Sequence, residues 1–83
     1  MAEQNSSDVS VAVTRYQEAF GLAEELEMRP LAARCQLGLG RLLRATGDHV
    51  RATEKLRGAC AQFRAMGMAS SLSEAETELS ALA

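Results

Sequence analysis

LGLGRLLRATGD, residues 37–48, contains the end of one predicted helix and the start of the next. Gly47 suits the left-handed residue that commonly ends a helix, and Asp48 can accept a hydrogen bond from the free amides that begin one. Gly40 lies inside the apolar segment, where a glycine costs about 1 kcal/mol relative to alanine. A helix that keeps such a glycine is expected to let another backbone approach closely, so the stretch predicts a tight helical hairpin.

The chain also repeats itself at a spacing of forty residues. In both copies, small residues flank a larger apolar one, and a methionine follows about nine residues after the second small residue. The corresponding positions are Ala12 and Ala52, Tyr16 and Leu56, Ala19 and Ala59, and Met28 and Met68. A repeat period of roughly 20–50 residues indicates stacked structural units, which form surfaces for binding other macromolecules.

Apolar residues at three- and four-residue steps predict four α-helices, at about residues 8–27, 30–45, 49–66 and 71–82. No segment alternates with the period of a strand, and isoleucine is absent. Short connections force neighbouring helices to be antiparallel. The predicted fold is therefore all-α, with stacked helical hairpins amounting to about one and a half to two repeats, preceded by a disordered lead at residues 1–7.

Charge is segregated along the chain although the net charge is only −2. Residues 1–28 carry six acidic side chains and one basic one, and residues 29–64 carry eight basic and two acidic ones. Residues 65–83 carry three acidic side chains. Acidic ends therefore flank a basic middle, and the blocks can attract each other within one chain or between two.

The length of 83 residues allows one small domain, which is marginally stable by itself. No stretch reaches the roughly 18 apolar residues that a membrane helix needs. Residues 1–8 lack the basic and apolar regions of a signal peptide. We therefore expect a cytoplasmic protein.

The two cysteines are too few for a disulfide scaffold. Cys35 and Cys60 lie at nearly equal distances from the turn at Gly47, so a disulfide or half of a metal site is one interpretation. Buried thiols that act as small apolar residues are the favoured one. His49, the single histidine, lies at the turn away from both thiols. Because a zinc site needs about four ligands and a catalytic triad needs a suitably placed histidine, we expect no metal, no cofactor and no enzymatic activity.

The arrangement resembles the tetratricopeptide repeat family. The positions that match the repeat are Leu39, Gly40, Gly47, Asp48, Ala52, Leu56 and Ala59. Leu43 stands where the family has a tyrosine, and Gln36 replaces a large aromatic residue. One full unit is covered, at residues 33–66, and helices one and four resemble the unpaired halves of its neighbours.

The forty-residue spacing, with residues 24–31 and 37–40, is similar to a bacterial subgroup of these repeats. Members of this subgroup form the C-terminal arrays of signalling ATPases, class III nucleotide cyclases and transcriptional regulators. The resemblance implies a non-catalytic protein–protein interaction module, a scaffold that binds a peptide or protein segment on the face of its A helices.

Arg34, Arg41 and Arg44 share one face of helix two with Leu37 between them. By resemblance, these four positions are the ones that meet a ligand in the concave groove. Arginine side chains hold carboxylates through paired hydrogen bonds. The predicted partner is therefore an acidic peptide or protein segment.

Internal pairing is the alternative for this basic face. A shift of forty residues places Arg34 on Glu74, and Glu78 lies one turn further along. Neighbouring A helices would then match a basic stripe to an acidic one, through exposed pairs worth only about 0–1 kcal/mol each.

Helix one lacks the partner helix that would cover one of its flanks. Tyr16, Phe20 and Leu22 are the residues expected to be exposed there. A second hypothesis is therefore a homo-oligomer, such as a symmetric dimer that exchanges helix one. Nucleic-acid binding by the basic middle is a minor alternative, disfavoured by the negative net charge and the length of the two helices.

Overall fold

A computed structural model describes residues 2–82, with side chains from residue 9 onward. The described chain consists of four α-helices: α1 (Ala2–Glu25), α2 (Arg29–Ala45), α3 (His49–Met66) and α4 (Ala69–Ser80). No strand occurs within this range. The predicted all-α class, with helices arranged as hairpins, is confirmed.

The largest difference from the predicted boundaries is at the start of α1. The helix begins at Ala2, so it includes residues 2–7, which the sequence predicted as a disordered lead. Residue 1 of that lead lies outside the described residues. The stretch contains neither glycine nor proline and begins with alanine, glutamate and glutamine, which are strong helix formers, so nothing local stops the helix at residue 8.

The other ends of the helices are set by turns of a single geometry. In each turn, a residue with positive φ precedes the N-cap of the next helix, and the N-cap amide donates to the carbonyl five residues earlier. The positive-φ residues are Glu27, Gly47 and Gly67, at φ 57°, 89° and 68°. The hydrogen bonds run from Met28 N to Ala23 O (2.7 Å), Asp48 N to Leu43 O (2.9 Å) and Met68 N to Phe63 O (2.9 Å).

These turns lie twenty residues apart, so the forty-residue repeat of the sequence is also a repeat of the backbone. The turn at Met68 starts α4 at Ala69, two residues before the predicted start, and α4 ends at Ser80. Only the middle turn has a side-chain cap, in which Asp48 Oδ1 accepts a hydrogen bond from Arg51 N at 3.3 Å.

Each helix packs against its neighbour in the chain: α1 against α2, α2 against α3, and α3 against α4. The main core cluster joins α2, α3 and α4 and is built from Ala33, Leu37, Leu56, Ala59, Cys60, Phe63 and Ala75. A second cluster, of Leu39, Leu43 and Ala52, is covered by Val13 of α1 and by Leu82. Among the described helices, none combines the length and the apolar character that crossing a membrane requires.

α2 and α3 approach each other closely at Gly40. A Cβ atom there would lie 2.6 Å from Leu56 Cγ and 3.5 Å from the carbonyl oxygen of Ala52. Ala52 and Leu56 are themselves fully buried. The interior glycine therefore allows the two helices to nest, as the LGLG segment predicts.

Candidate interaction surfaces

The basic face of α2 is engaged by α4. The Arg41 guanidinium donates from Nη2 to Glu74 Oε1 and from Nε to Glu78 Oε2, both at 3.0 Å. Arg44 Nη1 lies 2.8 Å from Glu78 Oε1. The hydrogen bond that Arg41 donates to Glu74 has the largest effect on the pKa of Arg41 and raises it. Burial has the next largest effect and lowers it, and the hydrogen bond to Glu78 and the charges of both glutamates raise it further.

This arrangement changes the interpretation of the predicted partner-binding residues. Leu37 is only 7% exposed and belongs to the core, because α4 packs beside α2 and covers it. Arg41 and Arg44 extend past Leu37 to the carboxylates of α4, so internal pairing describes these two arginines. Arg34 is exposed and forms no ion pair with any side chain in residues 9–82.

A third arginine of the basic middle also faces α4. Arg64 Nη2 donates to Glu76 Oε2 at 3.3 Å. The three glutamates of the acidic C-terminal block therefore each pair with an arginine of α2 or α3. This pairing lowers the positive charge that the basic middle can offer to a polyanion.

Exposed apolar side chains are concentrated in the first part of the chain. Within residues 9–82, seven large apolar side chains are exposed, and only Val50 lies outside α1, the first turn and the start of α2. The other six, which we call the N-terminal apolar set, are Val11, Tyr16, Leu22, Leu26, Met28 and Leu31. The exposed residues of α4 are small or charged instead: Ala69, Ser70, Ser73, Glu74, Glu76, Thr77 and Ser80.

The three residues predicted for self-association do not form one stripe. Tyr16 is 37% exposed, Leu22 is 56% exposed, and Phe20 is partly buried. Residues on an α-helix are separated by about 100° each, so Leu22 points to nearly the opposite side from Phe20. The Tyr16 ring rests on α2, where a Cβ atom at Gly38 would lie 2.6 Å from Tyr16 Cε1.

An open groove of about 360 Å³ lies between α1 and α2. Its lining is mostly apolar and consists of Ala12, Arg15, Tyr16, Ala19 and Cys35. We call it the α1/α2 groove. A second depression, of about 400 Å³, has Glu24, Glu27 and Arg29 in its lining and is more polar.

Both cysteines are free and buried, as the favoured interpretation of the sequence predicts. Cys35 lines the α1/α2 groove, whereas Cys60 packs in the core cluster with Phe63. Burial raises the pKa of both thiols, and for Cys60 the charge of Glu76 adds a smaller upward effect that Arg64 opposes. Among the described residues, no group of three or more His, Cys, Asp and Glu side chains could hold a metal ion.

No model of a known protein family matches this chain, and comparisons with curated proteins and with solved structures found no match either. Sequence reasoning missed the α1/α2 groove, although the forty-residue correspondence contained the signal. Ala12, Tyr16 and Ala19 line the groove, and they are the counterparts of Ala52, Leu56 and Ala59 in the core.

Proposed function

We propose that this protein is a non-catalytic protein–protein interaction module built from stacked, tetratricopeptide-like helical hairpins. The observation that carries the proposal is the unequal exposure of its two ends. The N-terminal apolar set is exposed, whereas α4 presents small and charged residues to the solvent. Exposed apolar surface gathered in one part of a molecule is typical of interaction sites, and a polar outer face is typical of a surface that stays in solvent.

The energetics favour a partner at the N-terminal end. Covering apolar surface contributes about 25 cal/mol for each Å² removed from water. Leu22 and Leu26 are each more than half exposed, and Leu31 is 43% exposed. The arginines of α2 that the sequence assigned to ligand binding, Arg41 and Arg44, already have carboxylate partners, so a partner at that face would have to displace α4 carboxylates.

Self-association is the second candidate function, and the exposure of Tyr16 and Leu22 favours it. Charge opposes its symmetric form, because α1 also carries exposed Glu18, Glu24 and Glu25. A two-fold pairing of α1 with itself would bring these like charges together. The molar mass from light scattering at tens of micromolar protein separates the two candidate functions. The mass of a dimer supports self-association, and the mass of a monomer supports binding to a different protein.

Site-specific photo-crosslinking in cells tests the proposal. A photoreactive amino acid replaces Leu22 or Leu31 in the N-terminal apolar set, and Ser73 on the outer face of α4 serves as the matched control. We expect protein adducts from the two leucine positions and few from position 73. Adducts whose mass equals two copies of this chain would favour self-association, and an absence of adducts at both leucine positions would refute the proposal.

A further inference from the structure

The two copies of the repeat differ in what covers them. In the second copy, Ala52, Leu56 and Ala59 are all 0% exposed because α2 packs over them. In the first copy, Tyr16 is 37% exposed, Ala19 is exposed and Ala12 is half-buried. The turns that follow the two copies have the same hydrogen bonds and nearly the same φ, so both copies end in the same kind of turn.

The α1/α2 groove is therefore the counterpart of the surface on which α2 itself lies. All five of its lining residues correspond by the forty-residue shift to residues of α3 and α4 that are buried or half-buried. The pairs are Ala12 and Ala52, Arg15 and Lys55, Tyr16 and Leu56, Ala19 and Ala59, and Cys35 and Ala75. Helix α2 covers the surface formed by α3 and α4, whereas the equivalent surface formed by α1 and α2 is open.

We propose that the α1/α2 groove binds an amphipathic helix of a partner protein, placed as α2 is placed on α3 and α4, with a small residue over Tyr16 and an acidic residue directly after it. This inference rests on the proposed function and names its contact surface and the chemistry of the partner.

Steric fit requires the small residue. The helix that covers Leu56 has Gly40 at the contact, and even a methyl group there would lie 2.6 Å from Leu56 Cγ. Tyr16 occupies the equivalent position in the groove and is larger than leucine. The partner helix therefore needs the smallest residue, glycine, where it crosses Tyr16.

Charge complementarity specifies the acidic residue. In the filled surface, Arg41 directly follows Gly40 and pairs with Glu74 of α4. The counterpart of Glu74 beside the groove is Arg34, which is exposed and forms no ion pair among the described side chains. A basic side chain therefore lies beside the groove where an acidic one lies beside the filled surface, and Arg15 adds a second cation in the groove lining. A carboxylate following the small residue therefore suits the groove, whereas an arginine there does not.

Within residues 9–82, whose side chains the structure describes, a second copy of this chain does not supply such a helix. Among the described helical side chains, a glycine or alanine precedes an acidic residue at Ala23-Glu24 and Ala75-Glu76. Both alanines are already buried, at 1% and 0% exposure, and Glu76 pairs with Arg64. The fitting occupant is therefore a helix from a different protein.

A designed peptide tests this proposal. The probe has the sequence of residues 29–45 with Cys35→Ala, Arg41→Glu and Arg44→Glu, carries a fluorophore, and is titrated with the intact protein by fluorescence anisotropy. We expect saturable one-to-one binding. A control peptide that keeps both arginines should bind at least about threefold more weakly because like charges face Arg34. A Gly40→Leu version of the probe should show no saturable binding.

Protein variants locate the binding site. Ala19→Leu fills the groove and should abolish binding, whereas Ala61→Leu, at an exposed position of α3, should not. Arg34→Glu should reverse the preference between the two peptides, and Arg57→Glu on α3 should leave it unchanged. Loss of binding in both alanine variants, or an unchanged preference in Arg34→Glu, would overturn the proposal.

Joining the probe peptide covalently to the protein allows binding to be tested even when the free peptide binds weakly. The probe is joined to the N-terminus by a flexible linker, which raises its effective concentration to roughly millimolar. The NMR resonances of Tyr16 and Ala19 should then shift, and unchanged resonances would overturn the proposal. Dimerisation through the groove would overturn it as well, since the occupant would then be a second copy. Crosslinks from Leu22 to a partner would still support the proposed function if every peptide experiment failed.

Discussion

Gly40→Ala probes the nesting of α2 on α3 most sharply. The added methyl carbon would lie 2.6 Å from Leu56 Cγ and 2.7 Å from Leu56 Cδ2, far inside van der Waals contact. Leu56 is 0% exposed and belongs to the main core cluster, so it has no open space to move into. The helices must therefore separate slightly, or Leu56 must leave its preferred rotamer.

The expected magnitude follows from two opposing effects. Inserting a methyl group into a well-packed core typically costs about 1–3 kcal/mol. Replacing an interior helical glycine by alanine stabilises the helix by about 1 kcal/mol. The free energy of unfolding should therefore fall by up to about 2 kcal/mol for Gly40→Ala.

Gly21→Ala is the matched control. Gly21 also lies inside a helix, but nothing is within 4 Å of the position that its Cβ would take. The same substitution should therefore raise the free energy of unfolding by about 0.5–1 kcal/mol. Urea unfolding followed by circular dichroism at 222 nm measures both variants, with the midpoints compared at equal slope. A Gly40→Ala protein that gains as much stability as Gly21→Ala would refute the nested arrangement, because the added methyl group would then meet no obstacle.

Three further outcomes follow from the turns, the ion pairs and the thiols. Glu27→Gly should raise the free energy of unfolding by about 1 kcal/mol, because a non-glycine residue at φ 57° is strained. Glu78→Gln should lower it by about 1 kcal/mol, since Glu78 pairs with two arginines, while Arg34→Gln should change it little. Stability should be level from pH 6 to 8 and fall above about pH 8.5, because burial raises the pKa of Cys35 and Cys60.

The sign of the pH effect follows from the state that the fold prefers. A raised pKa means that the folded chain favours the neutral thiol, so this contribution is complete below the pKa of an unfolded thiol. It is lost as the pH rises through the higher pKa of the folded state. A protein with both cysteines replaced by alanine should lack this fall, and an identical profile would contradict the assignment. Thermal or urea unfolding measures all three predictions, and the prediction for the thiols requires the measurement at each pH.

Much of the fold was predictable because its signals are local. The αL residue Gly47 and the N-cap Asp48 mark the central turn, and α3 has the predicted bounds. Gly40 could be recognised as a contact point because an interior glycine weakens a helix unless packing compensates. The first turn was harder to recognise, since Glu27 occupies a positive-φ position where Gly47 and Gly67 stand in the other two turns.

The candidate site was less predictable because helical periodicity shows which residues share a face but not which neighbour covers it. Leu37 and Arg41 share a face, and α4 covers the first while the long side chain of the second reaches past it to Glu74. The same limit applied to Tyr16, whose ring lies partly on Gly38. Only the packed structure shows that one copy of the repeat is covered and the other is open.

In this structure α2 nests on α3 through Gly40, whereas no helix lies over the exposed side of Tyr16. A nuclear Overhauser spectrum of the labelled protein tests this packing most directly. We expect strong cross-peaks between the Gly40 α-protons and the Leu56 methyl groups, and between the Tyr16 ring and the Gly38 α-protons. The rest of the Tyr16 ring should be in contact with solvent. Missing Gly40–Leu56 cross-peaks, or cross-peaks that place the Tyr16 ring against α3 or α4, would show that this packing is wrong.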